Sequence, residues 1–287
     1  MELRQLLKHA KWHVRMAADL HRLGLRRDTF FRTYYHSRLR AYVTSRKTPL
    51  LVKPVSVRHG VSGGRATLHL RTGPSPEDLS DWIVLRGVWA DQDYFHPLIG
   101  RSHTILDVGA NIGIAAVWLK TLLPDAELAC VEPDPRNLPL ARLNLGKNGI
   151  SAKIFECAVA PNSGRARLGI EVFKGKSSLE DAGLYPHESF IEVETRRIPE
   201  ILDDLGWRHV DLLKMDIEGM ERDILADGGD WLHRVGLIVL EVHENTSPEE
   251  LSTLLHPHGW TLQKLGTHDE PTYLAVRTNH NQSYATV

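Results

Sequence analysis

From residue 104 onward, short apolar runs alternate with amphipathic stretches, and this alternation restricts the fold more than any other feature of the chain. The strand-like runs cover residues 104–108, 127–131, 152–155, 210–215 and 235–242. The helix-like stretches cover residues 113–123, 135–147, 219–226 and 248–256. Such alternation is typical of a parallel sheet with helices on both faces. The sequence therefore predicts an α/β protein with a doubly wound sheet.

Three further stretches complete this organisation. An insertion after the third run contains strand-like residues 166–172 and 190–197, and the last two runs, 260–265 and 272–277, are close enough for an antiparallel hairpin. Before the sheet, helical patterns end near Gly24 and recur around residues 29–43, and short strands are expected at 65–72 and 82–89. We predict three parts: a basic helical cap with a small β segment at 1–80, a main domain at 81–278 and a disordered tail at 279–287.

The composition argues against a membrane-spanning protein and against a protein built on disulfides. No apolar run approaches the roughly 20 residues of a membrane-spanning helix. Cys130 and Cys157 lie too far apart for a C-x-x-C site, and they do not suggest a disulfide framework. We therefore expect a cytoplasmic location.

Residues 1–50 contain 12 lysines and arginines against three acidic residues. We interpret this basic segment as a solvated helical face or a docked cap, with peripheral contact to an anionic membrane or a partner protein as the alternative.

A glycine turn follows the first strand of the alternating region, in the segment from Asp107 to Gly113. Ligands of open α/β sheets bind at the carboxyl ends of the strands, and Gly109 and Gly113 would let the backbone approach one. A dinucleotide fingerprint would require glycine where Asn111 stands. Asp107 would repel a pyrophosphate but suits the ammonium of a methionine moiety, and Glu132, which ends the next strand, suits ribose hydroxyls. These features favour S-adenosylmethionine (SAM) over NAD.

Two further clusters follow later strands. Lys214, Asp216 and Glu218 alternate along one strand and would project to the same side. Glu241 and His243 share a face of the next strand, so that they can meet Asp216 across the cleft. We predict catalytic roles for Lys214, Asp216, Glu241 and His243. For Glu218 and Glu221 the alternative is a salt-bridged strand end and an acid-rich helix start.

The remaining candidates are contacts to the cofactor. Tyr94 precedes the first strand of the regular region and is a candidate for a lid, with core packing as the alternative. Ala110 and Pro133 belong to the two strand-end motifs. Residues after the third run are the natural contacts to an adenine, although ordinary packing explains them equally well. These are Glu156, Cys157 and Ala158.

The motifs resemble those of the FkbM-type methyltransferases over roughly residues 85–277. The resemblance rests on DVGANIG at 107–113, VEP at 131–133, LKMDIEGME at 213–221 and LEVH at 240–243. It implies the class I methyltransferase fold, a Rossmann-like seven-stranded sheet that ends in an antiparallel hairpin. It also implies methylation of oxygen, on hydroxyls of polyketides, sugars or other small metabolites. The residues that carry over are Asp107, Gly109, Asn111, Gly113 and Glu132 as cofactor contacts, and Asp216, Glu241 and His243 as active-site groups.

An alcohol is a poor nucleophile at neutral pH, so a base near its proton would accelerate methyl transfer, and either His243 or Asp216 can supply one. A divalent cation held by Asp216, Glu241 and His243 is an alternative that we do not predict. The rival functions are methylation of nucleic acid or protein, NAD-dependent oxidoreduction, and cofactor binding without catalysis. Because the sequence contains no base-reading aromatic module, we do not expect nucleic acid as a partner.

Overall fold

The computed structural model describes residues 51–72, 80–171, 177–180, 187–265 and 271–278, together with residues 14, 16, 18, 19 and 21–24. Most of the helical cap expected before residue 50 and the tail expected at 279–287 lie outside the described residues. The described helices include none that is long and apolar enough to cross a membrane.

The strands account for most of the regular structure. They are β1 (Leu51–Arg58), β2 (Arg65–Thr72), β3 (Thr104–Val108), β4 (Glu127–Val131), β5 (Lys153–Phe155), β6 (Ala158–Val159), β7 (Gly164–Glu171), β8 (Ser177–Leu179), β9 (His187–Arg196), β10 (Val210–Met215), β11 (Val235–Glu241), β12 (Trp260–Leu265) and β13 (Thr272–Arg277). The α-helices are α1 (Ser80–Leu85), α2 (Ile114–Leu122), α3 (Leu138–Lys147), α4 (Ile198–Asp204), α5 (Glu221–Ala226) and α6 (Pro248–Leu255).

A seven-stranded sheet organises the molecule, in the order β12-β13-β11-β10-β3-β4-β5. Five neighbouring strands run parallel to one another: β11, β10, β3, β4 and β5. Strand β13 pairs antiparallel with both β11 and β12. The predicted α/β fold class is therefore confirmed. After β3 the chain forms β4 and β5 on one side of β3, and it later forms β10 on the other side of β3. The strand order therefore reverses between β3 and β10. Ligand clefts form outside the carboxyl ends of strands at such a point.

Two hydrophobic cores lie on the two faces of this sheet. One core joins α2 and α3 with the β1–β2 hairpin, through residues such as Trp118, Leu140 and Leu68. The other joins the helices α4, α5 and α6 with the insertion strands. Because the hairpin shares a core with the main sheet, packing continues across residue 80. The division into domains at that residue stays a prediction.

The expected strand at 82–89 was wrong. These residues form α1 and a π-helix, Arg86–Asp91. The buried side chains Trp82, Leu85, Val88 and Trp89 recur at three- and four-residue steps, which is the period of a helix and not the alternation of a strand.

Strand β1 was missed, because Pro54 suggested a break in the pattern. The strand pairs only with β2, and proline is tolerated on such an edge. The insertion forms a separate four-stranded sheet in the order β6-β9-β7-β8, of which only β7 and β9 had been predicted.

Candidate functional site

The glycine turn after β3 adopts left-handed backbone at three residues, Gly109 (φ 80°), Asn111 (φ 50°) and Gly113 (φ 82°). Asparagine tolerates this conformation better than most residues because its side chain can bond locally. Here Oδ1 of Asn111 accepts the backbone N–H of Ile112 at 2.8 Å. The turn therefore keeps its shape with asparagine at the position where a dinucleotide fingerprint has glycine.

Gly109 is required for a reason that the sequence did not reveal. A Cβ at this residue would lie 1.7 Å from the backbone oxygen of Asp216, which follows β10. The expectation was that glycine clears space for a ligand, but its first role is to let the two strand-end loops pack together. Gly113 is different, since its nearest neighbour would be the Cα of Ala141 at 3.5 Å. Gly113 begins α2 and packs against α3.

A cleft of about 600 Å³ opens beside this turn, and we call it the first cleft. The ends of β3 and β4 form its floor with Gly109, Glu132 and Pro133. Leu168 and Leu179 of the insertion sheet form an apolar wall that sequence reasoning missed. The lining of the first cleft is therefore partly apolar.

Glu132 supplies the carboxylate of the first cleft, although the residue is only 4% exposed. Its Oε2 accepts the backbone N–H of Asn111 at 2.7 Å. Its Oε1 accepts the N–H of Asp134 at 2.9 Å and the side-chain amide of Asn137 at 3.1 Å. Burial raises the pKa of Glu132 to about 7, against the lowering effect of these hydrogen bonds.

The residues after β5 divide between cleft and surface. Cys157 and Ala158 line the first cleft, as expected of contacts to a base. Glu156 does not line it, because its carboxylate is exposed and forms an ion pair with Arg142 on the outside of the molecule. The structure therefore places Glu156 outside the first cleft, and its contact to an adenine stays a prediction.

A second cleft of about 970 Å³ adjoins the first. Both are lined by Gly109, Asn111, Asp216 and Glu218, which mark the line where the two clefts meet. Ala110 lines only the second cleft. The expected catalytic group, Lys214, Asp216, Glu241 and His243, lies together here with Tyr94.

Lys214 and Asp107 form a buried ion pair between β10 and β3. The Lys214 ammonium lies 3.1 Å from Asp107 and 3.6 Å from Asp216, and it donates to the backbone oxygen of Gly109 at 2.7 Å. Burial would lower the pKa of Lys214, but these carboxylates outweigh it and raise the pKa. Asp107 is fully buried beside Lys214 and lines neither cleft, and its expected contact to a methionine ammonium stays a prediction.

Tyr94 connects the two acids of the second cleft. Its hydroxyl lies 3.3 Å from Oδ2 of Asp216 and 3.4 Å from Oε2 of Glu241, so it can donate to one carboxylate at a time. The residue is 6% exposed and comes from the segment that follows the π-helix. This contact places the segment preceding the sheet at the site, while Tyr94 also packs in the hydrophobic core, so the lid stays a prediction.

His243 is held by carboxylates on both ring nitrogens. Nδ1 lies 2.9 Å from Glu221, and Nε2 lies 3.3 Å from Glu218 and 3.8 Å from Asp216. Burial would lower the pKa of His243, but Glu218 and Glu221 raise it well above the usual value. The surrounding carboxylates therefore favour the protonated form of the ring, which cannot accept a further proton. This finding argues against His243 as the base, one of the two assignments that the sequence left open.

Comparison with known proteins identifies the family. Residues 107–266 match the family described as the methyltransferase FkbM domain. The chain belongs to the FkbM methyltransferase family. It is a methyltransferase, as its motifs predicted.

Two relatives of this FkbM methyltransferase are methyltransferases by name. One is "2-O-methyltransferase NoeI" of Sinorhizobium fredii, 31% identical over 151 residues that span 48% of this chain and 62% of the relative. The other is "31-O-demethyl-FK506 methyltransferase FkbM" of Streptomyces tacrolimicus, 26% identical over 69% of this chain and 86% of the relative. The match with NoeI thus covers less than two thirds of that protein.

Solved structures include the O-methyltransferase TomG of Streptomyces achromogenes in complex with SAM. It is 14% identical, with a TM-score of 0.38, over 63% of this chain and 75% of that one.

Two residues of the FkbM methyltransferase site, Asn137 and Glu221, were not among the predicted site residues. Asn137, at the start of α3, bonds to Glu132. Glu221 holds the loop before α5, since its Oε1 also accepts the N–H groups of Ile217 and Gly219 at 3.3 Å. The only available signal for Glu221 was the final acid of the LKMDIEGME motif, which we had considered a helix start. Asn137 gave no signal.

Proposed function

We propose that this chain transfers the methyl group of SAM to a hydroxyl oxygen of a small molecule. The observation that carries the proposal is the meeting of two clefts at Gly109 and Asp216, with a buried carboxylate in one and a polar, acid-rich cluster in the other. A nucleoside fits the first cleft, and an acceptor can approach from the second.

The residues of the first cleft fit an adenosine group. Glu132 retains about one lone pair beyond the three donors that it already binds, and a carboxylate at this place can accept a ribose hydroxyl. Cys157, Ala158, Leu168 and Leu179 offer apolar surface for a flat base.

The charge of the second cleft fits a sulfonium. Asp216, Glu218 and Glu241 line it together with the cations Lys214 and His243. When bound, SAM supplies an electrophilic methyl group, and the protein contributes mainly the alignment of the nucleophile.

Asp216 is our candidate for the base. It lines both clefts and is 25% exposed at its side chain, whereas both ring nitrogens of His243 are occupied by carboxylates. Tyr94 and Lys214 hold its carboxylate in place from two sides. In the proposed reaction the acceptor hydroxyl gives its proton to Asp216 while its oxygen attacks the methyl group.

A divalent cation is a second arrangement that one observation favours. Asp216, Glu241 and His243 each offer a ligand atom within 4.8 Å of the others. Binding would require His243 to leave a carboxylate and lose its proton, so we leave the metal outside the proposal. Methyl transfer that survives EDTA would agree with this choice, whereas loss with EDTA and recovery with Mg²⁺ would reassign the three residues as ligands.

The function is tested by incubating the protein with SAM that carries a labelled methyl group and a panel of polyhydroxylated, phenolic and polyketide acceptors. We expect labelled ether product and S-adenosylhomocysteine in equal amounts, and loss of both in Asp216→Asn. Asp230→Asn is a control, because Asp230 pairs with Arg197 on the far side of the molecule. Label that appears only on RNA or protein would replace the small acceptor with a macromolecule. Binding of SAM without transfer to any acceptor class would favour a cofactor-binding module.

A further inference from the structure

We propose that Arg71 is a positioning residue that completes the cofactor site by orienting Asn137 toward Glu132. Arg71 lies on β2, before the residues that match the family. The inference rests on the proposed function, because it assumes that Glu132 binds SAM.

Arg71 is anchored so that its guanidinium has little freedom. Its side chain is 11% exposed and pairs with Asp81, which is 2% exposed, through Nη2 at 2.7 Å and Nε at 3.1 Å. The backbone N–H of Arg71 also donates to Asp81 at 2.6 Å. A planar guanidinium bound by two of its nitrogens points its remaining donors in fixed directions.

One of these donors reaches the side chain of Asn137. Nη1 of Arg71 lies 2.9 Å from Oδ1 of Asn137. An arginine has donors only, so the amide oxygen of Asn137 must face it, and the amide NH₂ must then face the other way. On that side lies Glu132, whose Oε1 accepts from Nδ2 of Asn137 at 3.1 Å. Arg71 therefore determines that the amide NH₂ of Asn137, and not its oxygen, faces Glu132.

Arg71 also approaches the second group that supports Glu132. Its Nη2 lies 3.4 Å from Oδ1 of Asn111, whose backbone N–H donates to Oε2 of Glu132 at 2.7 Å. Both oxygens of the carboxylate are thus held by residues that Arg71 contacts.

The consequence for binding follows from charge. A carboxylate accepts hydroxyl protons, whereas a protonated Glu132 offers one acceptor fewer. Hydrogen bonds from Asn137 and Asn111 favour the charged form against the burial that raises the pKa of Glu132. Without Arg71, Asn137 can turn its oxygen toward Glu132, and two acceptors then face each other. Arg71 thereby keeps Glu132 in the charged form, which accepts hydroxyl protons of the cofactor.

An ion pair that only ties β2 to α1 is the competing explanation, and Arg86 provides a matched control. Arg86 is 20% exposed and pairs with Asp19 at 2.8 Å and Asp91 at 2.9 Å, in the same part of the molecule. It lines neither cleft. Lysine keeps the charge at either residue but lacks the planar fork, so Arg71→Lys and Arg86→Lys disturb comparable ion pairs.

The test is calorimetric titration of the full chain with SAM between pH 6 and pH 9. We expect Arg71→Lys to weaken binding about tenfold at neutral pH, since one buried hydrogen-bond partner is lost. The pH midpoint of binding should also move upward, while Arg86→Lys behaves as wild type. Binding of Arg71→Lys equal to that of wild type, or an unshifted midpoint, would overturn the inference.

A double-mutant cycle with Asn137→Ala gives an independent test. If Arg71 acts through Asn137, Arg71→Lys adds little to the loss of affinity that Asn137→Ala causes by itself. Additive losses would show that Arg71 acts by another route and would contradict the inference. Failure of wild type to bind SAM would instead remove the proposed function. Wild-type binding that Glu132→Gln abolishes, combined with unaltered binding by Arg71→Lys, would remove the inference alone.

Discussion

Replacing Gly109 with alanine tests whether the two strand-end loops are locked together. The added Cβ would lie 1.7 Å from the backbone oxygen of Asp216. The loops would have to separate by roughly 2 Å to restore ordinary contact. That movement breaks the hydrogen bond from the N–H of Asp216 to the oxygen of Val108, now 3.0 Å long. It also displaces the Gly109 oxygen that accepts from Lys214.

The expected loss is large because two costs combine. Left-handed backbone at a residue with a Cβ costs about 1–2 kcal/mol. Displacement of the Asp216 loop and its hydrogen bond brings the total to about 3–5 kcal/mol, in the range of strain at a special backbone position. Methyl transfer should fall as well, since Asp216 lies at the meeting of the clefts.

Two other glycines calibrate this measurement. Gly113→Ala has the same backbone cost but only an ordinary contact at 3.5 Å, so it should lose about 1–2 kcal/mol. Gly146, in α3, has no neighbour within 4 Å of an added Cβ, and Gly146→Ala should gain up to about 1 kcal/mol. Urea unfolding measures the change in the free energy of unfolding for the three variants, if the slope of that free energy against urea concentration is the same for all of them. A loss for Gly109→Ala no larger than that for Gly113→Ala would refute the packing argument.

Three further predictions concern the site. Asp216→Asn should lower kcat about 10²–10⁴-fold with little change in SAM affinity, and steady-state kinetics that reveal a loss below tenfold would exclude Asp216 as the base. Because burial raises the pKa of Glu132 to about 7, SAM affinity measured by calorimetry should fall roughly tenfold per unit below that pH; constant affinity from pH 8 to pH 5.5 would contradict a role for its carboxylate. The raised pKa of His243 stabilises the fold most below its unfolded pKa of 6.5 and less as pH rises toward the folded value, so His243→Gln should lose more stability at pH 6 than at pH 9 in urea unfolding. An equal loss at both values would mean that His243 is not charged in the folded protein.

The sequence predicted the main sheet well because its strands are buried on both faces. Such strands appear as continuous apolar runs, and β3, β4 and β10 were located without error. The hairpin strands β12 and β13 were also located without error, although β12 lies at the edge and is exposed at Gln263 and Lys264. The residues preceding the sheet were harder to interpret. In the segment that contains Trp82 and Trp89, apolar residues are so frequent that strand and helix patterns both fit, and only packing separates them.

The candidate site was predicted as a set of residues but not as a network. Asp216, Glu241 and His243 come together because parallel strands end at one edge of the sheet, a rule that needs no coordinates. The pairing of Asp107 with Lys214 depends on β3 and β10 being neighbours, and that order comes from topology. Without knowledge of the strand order, one cannot predict from the sequence whether an acid at a strand end faces a ligand or a buried lysine.

Contacts between distant segments were beyond the sequence altogether. Arg71 and Asn137 are 66 residues apart, and neither belongs to a motif. Their meeting requires the β1–β2 hairpin to pack on α3, which follows from the shape of the core and not from any local pattern.

Calorimetric titration with SAM tests the central claim most directly, with Glu132→Ala beside wild type and NAD as a second ligand. Glu127→Ala is the matched control, because Glu127 begins the same strand β4 at an exposed position away from both clefts. We predict micromolar binding of SAM by wild type and by Glu127→Ala, loss of that binding in Glu132→Ala, and no binding of NAD. Absence of SAM binding by wild type, preference for NAD, or unaltered affinity in Glu132→Ala would contradict the account.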